Sequence, residues 1–206
     1  MQCDYIISDN DVEEIYDNTS YNLESTIHKS CDEVNSKYIS LNITTNSNEL
    51  TTSPIKREFF NEKLLFNKAG TVGKVAEHIH FFIKEEYRQE GIAKAIHENE
   101  LVIYTRNDFK QIQLTAVGDG VLVWRKLYYK YKDSTQEKKI LDNLWIYLTK
   151  VHRLNIEQIE SKFKNKSLKD ISSKYFLAPS NGKDSFLKWL QKRPSSIGIE
   201  MYKDIT

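Results

Sequence analysis

The stretch "FFIKEEYRQEGIAKAIHENE", residues 81–100, decides how this chain is read. The apolar run of Phe81, Phe82 and Ile83 closes a strand-like segment. A charged turn follows, and from Ile92 onward the apolar residues recur at helical spacing. Between them stands Gly91, in a chain with 7 glycines and 3 prolines among 206 residues. Helix N-termini leave backbone N–H groups unsatisfied and carry partial positive charge. A residue without a side chain lets an anion approach that backbone. A strand, a turn, a glycine and a helix start therefore compose a phosphate site. The spacing is Arg88-x-x-Gly91-x-Ala93, which is neither the lysine-bearing GxxxxGK[ST] loop nor the dinucleotide GxGxxG.

Outward from this turn the elements alternate. "VAEHIHFFI", residues 75–83, reads as the best strand, with apolar odd positions after Glu77. A helix is expected over 92–107, and "KQIQLTAV" reads as a strand with Ile112, Leu114 and Ala116 on one side. "DGVLVWRKL" reads as a short helix after Gly118, and "YYKYK" as another strand. Strand, helix, strand, helix, strand favours an α/β layer architecture. Upstream, "YISLNIT" alternates as a half-buried strand, and 44–54 is a polar loop ending at Pro54. "IKREFF" and "KLLF" read as two short strands around a turn at Asn61–Glu62, and "NKAGTVGK" as a second loop. Residues 11–34 read as a helix, with Asp11 capping, Glu14 three residues on, and Val12, Ile15, Tyr16, Leu23 and Ile27 as a broken apolar stripe.

The C-terminal third is helical in pattern. Ile140, Leu141, Leu144, Trp145, Leu148 and Val151 recur at helical spacing. Further helices are expected at 155–164, 167–176 and 184–192, stopped by Pro194, before a final strand "IGIEMYK". The aromatic residues Trp145, Tyr147, Phe186 and Trp189 read as core.

Composition narrows the classes. The chain is 39% hydrophobic and 12% aromatic, as expected of a folded globular protein. Lys plus Arg number 30 against 29 acidic residues, a net charge of +1, so charge gives no push toward nucleic acid or an anionic membrane. Cys3 and Cys31 make neither a disulfide framework nor a CxxC metal site. No signal-peptide pattern or membrane-span run occurs, and a soluble, cytoplasmic protein is expected. The N-x-S/T sequons at Asn18, Asn42 and Asn165 then read as chance matches.

With these residues in view, "FFIKEEYRQEGIAKAI" resembles the pyrophosphate-binding segment of the GNAT N-acetyltransferase superfamily. Ile83 falls on the strand-end position of that pattern, Tyr87 and Arg88 on its Tyr-Arg, and Glu85 replaces its usual proline. "IQLTAV" resembles the family's fifth strand and "VWRKLYY" its Tyr-Glu-Lys-Leu-Gly-Phe segment. The resemblance is good over 75–131 and looser over 36–74. It implies an α/β, mixed-sheet GNAT-like fold over 1–206, with core strands and cofactor site in 36–131, a helical elaboration at 132–194 and a final strand at 197–203. It implies acetyl-CoA as co-substrate, with its diphosphate on the amides of Gln89, Glu90, Gly91, Ile92, Ala93 and Lys94. Arg88 stands beside them, and the pantetheine would run along the backbone near Phe81 and Ile83. No metal is expected.

The chemistry so implied is transfer of an acetyl group from a thioester to an amine. An amine with a pKa of about 10.4 is neutral roughly once in a few thousand at pH 7, so a base is useful. The thioester oxygen wants an N–H donor and the leaving thiolate a proton. Glu77 matches the position of the catalytic glutamate in the histone-acetylating branch. Strand alternation puts it beside Ile79, Phe81 and Ile83, as an isolated carboxylate on an apolar face. His78 and His80, two apart and so sharing a face, are the rival bases. At the family's usual acid, a tyrosine, this chain has Trp124, and an indole N–H is no usable acid. Tyr128 is the nearest substitute. The alternative is a non-catalytic acyl-CoA-binding or protein-interaction module on the same fold. Aminoglycosides, polyamines, protein N-termini, lysines and aminoacyl-tRNA stay open as acceptors, and so does a homodimer.

Overall fold

The computed structural model describes residues 6–17, 25–31, 38–45, 55–84, 87, 90–117, 120–179, 182–192 and 198–206. Of the expected features, the polar loop from 46 to 54, Glu85, Gly118 and Pro194 lie outside them. The fold is α/β with a mixed sheet in the strand order β1-β2-β3-β4-β5-β7-β6. Two compact units are present, Met1–Leu114 with Tyr202–Thr206, and Thr115–Met201. The strands β5 (Gln111–Ala116) and β7 (Ile199–Asp204) carry the chain between them.

In the first unit, helix α1 spans Asp9–Asp17 and buries Val12, Ile15 and Tyr16. Its cap is Ser8, one turn earlier than the expected Asp11. The Asp11 N–H donates to Ser8 Oγ at 3.1 Å, and the Ser8 hydroxyl donates to the Asp11 carboxylate at 2.7 Å. The helix expected to run to residue 34 stops at Asp17. Ser25–Cys31 forms β1, paired antiparallel with β2 (Tyr38–Thr45) from Ser25↔Thr45 to Cys31↔Ile39. The cause is local. "DNTSYN" at 17–22 is rich in residues whose side chains compete for backbone hydrogen bonds, and Thr26 and Ile27 are β-branched.

Strand β3 runs unbroken over Ile55–Leu64 and pairs antiparallel with β4, Val72–His80. The turn expected at Asn61–Glu62 is a bulge. Phe60 pairs with Val75 and Lys63 with Gly73, so three steps on β3 answer two on β4. A second irregularity lies at the far end. Lys56 pairs with His80 and Arg57 with His78, which leaves Ile79 as an extra residue on β4.

Helix α2, Ile92–Arg106, joins β4 to β5, and the two strands pair in parallel from Val75↔Gln111 to His78↔Leu114. Parallel neighbours require such a crossover. The helix buries Ile92, Ile96, His97, Glu100, Ile103 and Tyr104. It ends in a left-handed Asp108 (φ 62°), with the Phe109 N–H bonded to the Tyr104 carbonyl at 3.0 Å. The rings of Phe59, Tyr104 and Phe109 pack mutually at 5.2–5.7 Å. Strand β5 buries Ile112, Leu114 and Ala116 as expected, and also Gln111 and Gln113. Those amides bond the backbone of Phe66 and Leu64, closing the connection after β3.

In the second unit, helix α3 spans Gly120–Lys126 and a two-residue strand β6 spans Lys130–Tyr131. Helix α4, Thr135–Lys150, follows, then α5, Ile156–Phe163, which carries a reciprocal Asn155–Gln158 capping box. The helix expected at 167–176 is two 3-10 turns, Leu168–Asp170 and Ser173–Tyr175. Helix α6 spans Phe186–Gln191. Tyr147 packs edge-on against Phe186 and Trp189 at 5.4 and 5.5 Å. Tyr147 and Phe186 are buried in the core role that the spacing suggests, whereas Trp145 and Trp189 are half-buried.

Candidate functional site at the glycine turn

Gly91 caps α2 with φ 86° and ψ 1° and, as a glycine, brings no side-chain cap of its own. A left-handed φ is costly for a residue with a Cβ. The first intrahelical bond runs from the Ala95 N–H to the Gly91 carbonyl at 3.0 Å. The amides of Ile92, Ala93 and Lys94 thus have no acceptor inside the helix. No acidic residue stands in the first turn of the helix itself, where one would offset the positive end of the macrodipole. Glu90 and Gly91 are exposed, Ile92 is buried and Ala93 is half-buried. Lys94 is exposed and reaches Glu98 at 3.6 Å. Arg88 and Gln89 lie outside the described residues.

The strand before the turn is shorter than its apolar run. β4 ends at His80, and Ile83 forms a one-residue bridge beyond it. The extra residue at Ile79 breaks the alternation, so His78 and His80 do not share a face. His78 is 4% exposed, whereas His80 is exposed and its ring lies 6.0 Å from that of Phe82. Burial, then the charge of Arg57, holds the His78 imidazole well below its usual titration range. Glu77 is not isolated. Its carboxylate is half-buried and ion-paired with Lys63 of β3, whose ammonium also sits 4.1 Å over the Phe60 ring.

Beneath the site lies a buried ionic cluster that sequence reasoning missed. Arg57 of β3 and Glu100 of α2 are both fully buried. The Arg57 Nε donates to Glu100 Oε1 at 2.8 Å. Arg57 Nη1 donates to the Lys56 carbonyl at 3.2 Å and to the His80 carbonyl at 3.1 Å. The guanidinium also lies 5.4 Å from the centre of the half-buried Phe81 ring. The Tyr16 hydroxyl donates to Glu100 Oε1 at 3.1 Å, and His78 Nε2 stands 3.6 Å from Oε2. Burial would raise the Glu100 carboxyl, but Arg57, His78 and His97 together outweigh it and hold the group well below the carboxylate range. The signal for this cluster was present in the pattern. Arg57 alternates with Ile55 and Phe59, and Glu100 falls on the stripe of Ile96, Ile103 and Tyr104.

In the second unit, Trp124 is buried and packs at 5.1 Å on the buried Tyr129. Tyr128 is left-handed (φ 68°) and 68% exposed. Its N–H bonds the Arg125 carbonyl at 3.1 Å, and the Tyr129 N–H bonds the Trp124 carbonyl at 3.0 Å. This is the helix ending that favours glycine. The Lys169 ammonium stands 5.6 Å from the Tyr128 ring centre. Among the described residues, no group of three His, Cys, Asp or Glu is placed to hold a metal, and no helix is long and apolar enough to cross a membrane.

No protein-family model matches the chain, and no curated relative does. Solved structures similar to it include a GNAT family acetyltransferase from Elizabethkingia anophelis with acetyl-CoA bound. That likeness has 9% identity and a TM-score of 0.34, and covers 87% of this chain and 97% of the other. The GNAT domain of S. lividans PAT matches at 14% identity and a TM-score of 0.31, over 48% of this chain and 55% of its own. The paia N-acetyltransferase from Thermoplasma acidophilum, in complex with coenzyme A, matches at 16% and 0.27, over 46% and 53%. The chain thus spans about half the length of these last two. With TM-scores this low, the functional case rests on the chain's own geometry.

Proposed function

We propose that the chain is an N-acetyltransferase of GNAT-like fold that moves an acetyl group from acetyl-CoA directly to an amine. The observation that carries this reading is Gly91 in the left-handed region, opening the helix that follows the parallel strand β4 and capping it with no side chain of its own. Anionic ligands of α/β sheets are taken up at the carboxyl ends of strands, against a helix N-terminus. The diphosphate would lie on the amides from Gln89 to Lys94 with Arg88 beside it. The pantetheine would follow the backbone past Phe81 and Ile83. That stretch lies just past the end of β4 at His80, and an added extended chain would be recognised through main-chain hydrogen bonds there.

Glu77 is the proposed base, drawing the proton from the attacking amine. Lys63 beside it holds the carboxylate in one place until an acceptor ammonium competes for it. His80, exposed, is the second candidate, and the enclosed His78 serves by supporting the strand. Tyr128 is the proposed acid for the leaving thiolate. An amine screen that follows thiol release tests the reading. Acetyl-CoA-dependent turnover with at least one amine supports it.

One observation favours the second reading, a non-catalytic acyl-CoA-binding module. Trp124, at the family's acid position, is buried against Tyr129 and offers no acidic proton. Acetyl-CoA binding without turnover across the screen would select that reading.

A further inference from the structure

The Arg57–Glu100 pair touches more of the cofactor-side backbone than any ion pair described above. One guanidinium joins three things: the carbonyl of His80, where β4 ends after its extra residue; the carbonyl of Lys56 on the neighbouring strand; and the carboxylate of Glu100, two turns into the helix that Gly91 opens. It also faces the ring of Phe81, the first residue past the strand. Glu100 in turn accepts from Tyr16 of α1. Both charges are taken wholly from water, an arrangement that gains little net stability over apolar side chains of similar volume. A planar fork that bonds a carboxylate on one edge and carbonyls on the other fixes orientation more than it adds energy.

The geometry points to Arg57 and Glu100 as positioning residues that set the distance and angle between the end of β4 and the N-terminus of α2. This inference rests on the proposed function in one respect: those two segments are where the pantetheine and the diphosphate would bind. A small error in their spacing would leave the amides off the phosphates while the chain stayed folded. Neither residue touches the cofactor in this proposal. Both act through backbone they hold.

The test pairs a cofactor readout with one that needs no cofactor. In Arg57→Met/Glu100→Leu both charges go together, so neither is left buried alone. The double variant is expected to unfold in one cooperative transition. Amide hydrogen exchange is expected to rise at Phe81–Ile83 and at Ala95 and Ile96, while Ile112–Leu114 of β5 keep their protection. Its affinity for acetyl-CoA, by titration calorimetry, is expected to fall by about tenfold or more. Arg57→Lys, which keeps the charge but not the fork, is expected to lose affinity in the same direction and serves if the double variant does not fold. Unchanged exchange and unchanged affinity in a folded variant would overturn the inference. If the native chain binds no acetyl-CoA, the cofactor reading fails. The exchange pattern then still decides whether the pair positions the two segments.

Discussion

Lys63 of β3 and Glu77 of β4 form an ion pair across the hairpin, on the strand that leads to the glycine turn. The bulge at Asn61–Glu62 makes it, because the extra residue carries Lys63 into reach. The carboxylate is thereby held in place, half-buried. Glu77→Gln is expected to leave acetyl-CoA affinity unchanged and to lower kcat by about a hundredfold or more, the usual worth of a general base. Steady-state kinetics with a responsive amine checks this. Equal kcat in the variant removes Glu77 from the base role and passes it to His80.

Gly91 has a backbone requirement separate from any ligand. At φ 86° a Cβ is strained, so Gly91→Ala is expected to cost about 1–2 kcal/mol in urea unfolding. A destabilisation within error of zero would mean that the turn relaxes easily and is no rigid cradle.

Tyr128 holds a conformation in which glycine would be cheaper. Tyr128→Gly is expected to stabilise the chain by about 1 kcal/mol. If Tyr128 supplies the thiolate's proton, the same change slows turnover while raising Tm. Tyr128→Phe separates the two effects, since it keeps the ring and the backbone and removes only the hydroxyl. Turnover unchanged in Tyr128→Phe would exclude the acid role.

The buried cluster makes stability depend on acid. His78 has a folded-state titration point well below its usual 6.5, and Glu100 one below its usual 4.5. For both, the unfolded chain binds the proton more readily. Stability is therefore full above about pH 6.5 and falls as pH drops, first through His78 and then, below about 4.5, through Glu100. The half-buried His152, also lowered by burial, adds in the same direction. Tm measured from pH 8 to 4 should show this decline, and His78→Gln should flatten its upper part. A Tm that is constant or rises on acidification would contradict the cluster. Arg57→Met alone, which strands Glu100 as a buried charge, is expected to cost about 3–5 kcal/mol at neutral pH.

Much of the architecture was legible because periodicity reports burial. The alternation in "YISLNIT", the helical spacing after Gly91 and the stripe from Ile140 to Leu148 each matched an element. Where local signals compete, the pattern misled. The apolar residues at 23 and 27 extend the stripe of α1 on paper, but polar competitors at 17–22 end that helix and β-branched residues start β1. The polar pair Asn61–Glu62 reads equally as turn or bulge, and only pairing with β4 decides. Alternation also failed at Ile79, where one extra residue separated His78 from His80. Arg57 and Glu100 were visible as a single charge on each of two apolar faces, of opposite sign. What a sequence does not display is that the two faces meet.

Acetyl-CoA binding, measured by isothermal titration calorimetry on the native chain and on Gly91→Glu, tests the reading most directly. A carboxylate at the helix start should repel the diphosphate and fill the space over the bare amides. The expected result is saturable, equimolar binding by the native chain, lost in the variant while its fold is retained. No binding by the native chain at about 1 mM acetyl-CoA, or equal binding by both, would contradict it.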